Sequence, residues 1–201
     1  MKKIIYFIEF LLVKFLLIIC EIIGYKLASN FGFFIGKNFG NFFRKKKSII
    51  ENLNKSKIVI KISDNQFANN VLGNYGRILA EYPFLKDFRK NKLEQFIKID
   101  GIENLNKIKN NNKPVVFISG HFNNFELMAM QIEKYGINLA TIYRPLNNVF
   151  LNKTMEHIRT KYICRNQIRK GRSGTRQILE NLKKGNSIAL MIDQRVTEGI
   201  K

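Results

Sequence analysis

Pro114-Val115-Val116-Phe117-Ile118-Ser119-Gly120-His121-Phe122-Asn123-Asn124-Phe125-Glu126 joins an apolar, strand-like run to a helix through a glycine-marked turn. The run ends by presenting a histidine, and a carboxylate follows five positions later. Histidine is the side chain that changes charge nearest neutrality, and a carboxylate beside it orients the ring and stabilises its charged form. His121 and Glu126 are therefore parts for a general base that takes a proton from a hydroxyl. Inside one helix, five residues would separate the two side chains by about 140°. His121 must precede the helix if the two are to meet.

Downstream the pattern alternates. A strand over 115–118 leads to a helix over 123–135 closed by Gly136, and a second strand covers 137–143. Arg144-Pro145 introduces a helix over 148–162, and a brief strand lies near Cys164. A helix over 175–184 closes at Gly185, and a strand over 187–192 ends in Asp193-Gln194-Arg195. Strands alternating with glycine-terminated helices predict an α/β fold with a largely parallel central sheet and flanking helices. Such sheets bind ligands at the carboxyl ends of their strands. His121, Arg144, Asp193 and Gln194 all fall just past such ends.

Upstream, residues 48–95 read as a helical lead-in. Its clearest part is 69–85, where Val71, Leu72, Tyr75, Leu79 and Tyr82 recur at helical spacing before Pro83. Residues 96–99 predict a short edge strand ahead of Asp100-Gly101. The segment 4–23 reaches the length of about 20 apolar residues that spanning requires, but Glu9, Lys14 and Glu21 interrupt it. It predicts a membrane helix that either spans once or lies in one leaflet. An aromatic-rich stretch follows, with Gly32, Gly36 and Gly40 four residues apart, a spacing that permits close approach to another helix or to a membrane surface. It ends in Arg44-Lys45-Lys46-Lys47, which suits an anionic cytoplasmic membrane face. The expected division is an anchor over 1–47 and an α/β domain over 48–201.

The 201-residue chain carries a formal charge of +20. Part of that reflects a composition crowded with Lys, Asn and Ile, and no helix-turn-helix, zinc or ribonucleoprotein signature points to nucleic acid. Cys20 and Cys164 lie far apart, without the neighbours of a metal site, so they read as inert, partly buried thiols and no metal is expected. Residues 169–176, Arg-Lys-Gly-Arg-Ser-Gly-Thr-Arg, lack the Gly-Lys-Ser/Thr ending of a phosphate loop and follow no convincing strand. His157, among Lys153, Glu156 and Arg159, reads as a solvated surface residue.

Taken in order, these elements resemble the bacterial lipid A biosynthesis acyltransferases. The resemblance rests on the N-terminal helix, Asn74-Tyr75-Gly76-Arg77 with Glu81, Gly120-His121-Phe122-Asn123-Asn124-Phe125-Glu126, Tyr143-Arg144-Pro145 with Asn147 or Asn148, and the strand ending Asp193-Gln194. It implies a glycerolipid-acyltransferase-like fold and transfer of an acyl chain from acyl carrier protein to a hydroxyl of a lipid A precursor. No cofactor is implied, and the site would face the cytoplasm at the inner membrane. It further implies His121 as base, Glu126 as the group orienting it, Arg144 as a ligand for phosphate or the thioester oxyanion region, and Asp193 and Gln194 as pocket floor. Family members continue past the Asp-Gln strand, so an acyltransferase domain incomplete at its C-terminus is also expected. Two alternatives stand beside this reading. One is an acyltransferase for a lysophospholipid or glycolipid, although residues 172–176 lack the Pro-Glu of that group's usual block. The other is a non-catalytic basic membrane adaptor.

Overall fold

Four helices open the chain: α1 (Lys2–Ile23), α2 (Tyr25–Phe39), α3 (Lys46–Ser56) and α4 (Asp64–Glu81). The computed structural model describes residues 2–193, the side chain of Arg172 excepted. These form two compact units, one of Leu11–Phe84 and one of Met1–Phe10 with Leu85–Lys201.

In the first unit the glycine spacing brings α2 onto α4. A Cβ on Gly36 would lie 2.3 Å from the Leu72 carbonyl oxygen, and one on Gly76 would lie 2.1 Å from that of Gly32. Only hydrogen fits between the two backbones. The motif glycine Gly76 is thus a packing residue. Ser63 caps α4 by accepting the Gln66 N–H at 3.3 Å. Glu81 is buried at the other end, where it accepts from the Ser29 hydroxyl at 2.7 Å and from Tyr25. Burial, then the Glu81 charge, push the Tyr25 pKa up to about 12. Gly36→Ala should cost at least the upper end of the roughly 1–3 kcal/mol typical of overpacking, because backbone rather than a side-chain tip blocks the methyl. Chemical denaturation would show this as a lowered midpoint.

The second unit adds α5 (Leu85–Arg89), α6 (Ile102–Asn111), β1 (Val116–Ser119), α7 (Glu126–Lys134), β2 (Leu139–Tyr143), α8 (Val149–Ile158), β3 (Asn166–Arg169), α9 (Arg172–Lys183) and β4 (Ser187–Met191). The strands form one parallel sheet in the order β1-β4-β2-β3, as the alternation predicts. Ile178 and Leu182 of α9 pack on Ala140, Ile168 and Ile188, and α7 packs against β2. Asn148 caps α8, accepting the Phe150 and Leu151 N–H groups at 3.1 and 3.2 Å. Its amide donates to the Tyr6 carbonyl and to Glu9 of α1, while Phe7 and Phe10 ring Phe150.

Three expectations change. Among the described residues no helix is long and apolar enough to cross a membrane. The spanning form expected of α1 therefore has no support: Lys2, Lys3, Glu9, Lys14 and Glu21 punctuate it, and Glu9 is engaged by Asn148. Residues 96–99 form no strand; the Ile97 N–H turns back to the Glu94 carbonyl and Lys98 pairs with Asp100 at 2.9 Å. The basic segment 169–176 does follow a strand, since β3 ends at Arg169 and Gly171 turns the chain into α9. Both cysteines are buried, and Cys164 donates to the Leu139 carbonyl at 2.9 Å. Burial pushes its thiol up to about 11, which suits an inert packing residue.

Candidate active site

β1 and β4 are neighbours in the sheet, with Ser119 opposite Met191. The Ile192 N–H bonds the Ser119 carbonyl at 3.0 Å, extending the ladder beyond both strands. Two residues further, the same register sets His121 opposite Asp193. One Asp193 oxygen accepts the His121 backbone N–H at 2.7 Å, and the other meets ring Nδ1 at 2.7 Å. Gly120 leaves room for this grip: a Cβ there would lie 3.2 Å from Asp193 Oδ2 and 2.9 Å from the Phe122 ring. The imidazole packs edge-on against Phe125 with centroids 4.6 Å apart.

Burial acts to raise the Asp193 pKa. The hydrogen bonds from His121 backbone and ring, with attraction to the charged ring, outweigh it and hold the carboxyl below its ordinary value. Asp193 is therefore ionised at neutral pH and can only accept. In the neutral form of the ring this places the hydrogen on Nδ1 and leaves the lone pair on Nε2.

His121 precedes α7, as a meeting with a carboxylate requires, and Glu126 opens that helix. The buried Glu126 carboxylate receives two hydrogen bonds from Arg159, from Nε at 2.8 Å and Nη2 at 2.6 Å. Arg159 begins a five-residue π-helical turn, Arg159–Ile163, that continues α8. π-turns often occur at functional sites. This one is closed by the Cys164 N–H on the Arg159 carbonyl at 3.0 Å.

A cavity of about 330 Å³ opens beside these groups. Phe125, Ile142, Leu146, Leu190 and Met191 give it apolar walls, and His121, Glu126, Arg144, Arg159 and Lys170 supply its polar positions. Tyr143 also lines it and donates its hydroxyl to Glu156. Of the expected site residues, His121 and Asp193 are in direct contact, and Glu126 and Arg144 share the cavity with His121. Gln194 lies outside the described residues.

Arg159 is the participant that sequence reasoning passed over, as one charge among several near His157. A buried glutamate nevertheless implies a cationic partner, because an unpaired buried carboxylate is costly. That partner is 33 residues away, so no local pattern marks it. His157 itself is exposed. The sequence profile described as bacterial lipid A biosynthesis acyltransferase matches residues 1–200. No curated protein matches the chain.

Proposed function

Because the chain belongs to the bacterial lipid A biosynthesis acyltransferase family, we propose that it moves a fatty acyl group from an acyl carrier protein thioester to a hydroxyl of a lipid A precursor. The observation that carries this reading is the two-point grip of Asp193 on His121 beside an apolar-walled cavity. With Nδ1–H held by Asp193, Nε2 is the basic atom. It takes the acceptor hydroxyl proton as the oxygen bonds to the thioester carbon. The tetrahedral oxyanion then collapses, breaking the carbon–sulfur bond. The imidazolium returns its proton to the departing thiolate, leaving an ester and a free thiol. General-base catalysis contributes about 10²–10⁴-fold, so positioning in the cavity has to supply much of the remainder.

The resemblance implies Glu126 as the group that orients the histidine. In this reading Asp193 orients the ring, and Glu126 fixes the Arg159 guanidinium in the cavity wall. The seat of the reaction is the cytoplasmic side of the inner membrane, with the chain bound to one leaflet. Ile4, Ile5, Ile8, Leu12 and Phe15 of α1 are exposed, and Phe42 and Phe43 are 86% and 92% exposed beside Arg44-Lys45-Lys46-Lys47. Aromatic and basic residues in that combination favour an anionic lipid surface.

The test is an assay of the full chain with fatty acyl–acyl carrier protein and, in separate reactions, a lipid A precursor and a lysophospholipid. A mass gain of one acyl group on the lipid A precursor, matched by released thiol, is the expected result. Acylation of the lysophospholipid alone would overturn the acceptor assignment.

A further inference from the structure

Asn148 makes two hydrogen bonds that a helix cap does not need. Capping α8 takes only a side-chain oxygen, and Ser, Thr or Asp would supply one. Here Oδ1 accepts the Phe150 and Leu151 N–H groups, which fixes the end of the amide that is oxygen. Both hydrogens of Nδ2 then go to α1, one to the Tyr6 carbonyl at 2.8 Å and one to a Glu9 carboxylate oxygen at 3.0 Å. All four hydrogen-bonding positions of this buried amide are used. Phe150, two residues on, packs against Phe7 and Phe10 with ring centroids 5.4 and 6.0 Å apart. Residues 2–10 accordingly belong to the same unit as the sheet.

α8 in turn holds the cavity wall. Asn152 accepts the Leu146 N–H at 2.8 Å, Glu156 accepts the Tyr143 hydroxyl, and Arg159 donates to Glu126. Hydrogen bonds from Tyr143 and then from Asn152 keep the Glu156 carboxyl below its ordinary value. With about 3.6 residues per turn, positions 152, 156 and 159 lie within roughly 60° of one another, on one face of the helix. Leu146, Tyr143, Arg159 and Glu126 all line the cavity beside His121, whereas Asn148 does not. One helix face thus sets the wall, and α1 is fastened just ahead of that helix's first turn.

We propose that Asn148 is a positioning residue: by seating the first turns of α1 on the start of α8, it fixes the helix face that shapes the cavity. It touches no reacting atom and acts through Leu146, Tyr143 and Arg159. The proposal rests on the acyl-transfer reading only for its effect on rate, because a group displaced by about 1 Å can cost on the order of 10²-fold.

Asn148→Asp separates the seat from the cap. It keeps an oxygen to cap α8, removes both donors, and sets a carboxylate against the Tyr6 carbonyl and Glu9. Amide hydrogen exchange on the full chain in detergent reads the result without catalysis. Exchange at residues 7–10 should rise about tenfold, the scale of one charged hydrogen bond. The Leu146 and Cys164 amides, bonded at the two ends of α8 and its π-turn, should exchange faster with them. The melting temperature should change little. Adding Glu9→Gln gives residue 9 a donor for the new carboxylate and should restore slow exchange, whereas Glu9→Gln alone keeps an acceptor and should have little effect. Asn148→Ala, which also loses the cap, should lower the melting temperature as well.

In an acyl-transfer assay Asn148→Asp should lower kcat about tenfold or more, and adding Glu9→Gln should restore most of it. A role confined to capping predicts neither the loss nor the rescue. Unchanged exchange at residues 7–10 overturns the proposal. Faster exchange there with Leu146 and Cys164 unaffected overturns it too, as does undiminished turnover by Asn148→Asp beside an active wild type. Linked exchange and its rescue in a chain whose wild type transfers no acyl group would leave the seat standing and remove the acyl-transfer reading.

Discussion

His121→Ala is expected to lower kcat by about 10²–10⁴-fold, the usual contribution of a positioned general base, with the fold retained. The imidazole side chain is 22% exposed and lies in the turn before α7, so its removal opens no core cavity. What it removes is the proton acceptor at Nε2 and the ring that Asp193 and Phe125 hold in place. The KM values should move far less, because the apolar walls and Arg144 are untouched. Single-turnover acyl transfer together with a thermal melt checks both halves of this expectation. Near-normal turnover in a folded His121→Ala protein would exclude His121 as the base.

The second large effect separates two carboxylates that look alike in sequence. Asp193→Asn should cost activity on the order of 10²–10⁴-fold, by analogy with loss of the carboxylate that orients a catalytic histidine. An amide cannot stabilise the imidazolium and can present N–H to Nδ1, which favours the wrong tautomer. The Asp193 side chain is 41% exposed, so the melting temperature should hardly change. Glu126→Gln should behave in the opposite way. It removes the anion facing Arg159, whose side chain is 15% exposed against 7% for Glu126. Loss of one partner of a buried ion pair typically costs about 3–5 kcal/mol. The predicted signature is therefore lost rate at constant stability for Asp193→Asn, and lost stability for Glu126→Gln. Melts and kinetics on both variants decide the matter, and the reverse pattern would return the orienting role to Glu126.

The depressed Asp193 pKa fixes the sign of one pH effect. A carboxylate whose folded pKa lies below its unfolded value contributes stability above the unfolded pKa and loses it as pH falls through the folded one. The His121–Asp193 pair should accordingly persist as pH drops through the ordinary carboxylate range and break only below it. Any loss of activity on the acid side above that range does not come from protonation of Asp193.

Much of the sheet is legible in the chain. β1, β2 and β4 stand out because apolar runs end at Gly120, Arg144-Pro145 and Asp193, and Gly136 and Gly185 mark where the intervening helices stop. β3 is harder to see. Asn-Gln-Ile-Arg has one buried apolar side chain, Ile168, and is a strand because it pairs along β2 rather than because of its composition. The edge strand expected at 96–99 fails for the converse reason. It has the composition, but the Phe96 and Ile97 N–H groups turn back to the Leu93 and Glu94 carbonyls. In the N-terminal unit the four-residue glycine spacing announces a close helix contact, although nothing in the spacing says that the partner is α4 around Gly73 and Gly76.

The sequence by itself determined the alternating α/β architecture and the family, and it put His121, Arg144 and Asp193 at strand ends, because those features are written in periodicity, punctuation and motif order. It also pointed to Glu126 as the partner of His121, since spacing along the chain is the only proximity a sequence can express. Only the tertiary structure showed that Asp193 grips the histidine. The crossover that inserts β4 beside β1 brings position 193 opposite position 121, while Glu126 turns with α7 toward Arg159. The pairing register of strands about 70 residues apart is set by packing of the whole sheet, and no local pattern encodes it.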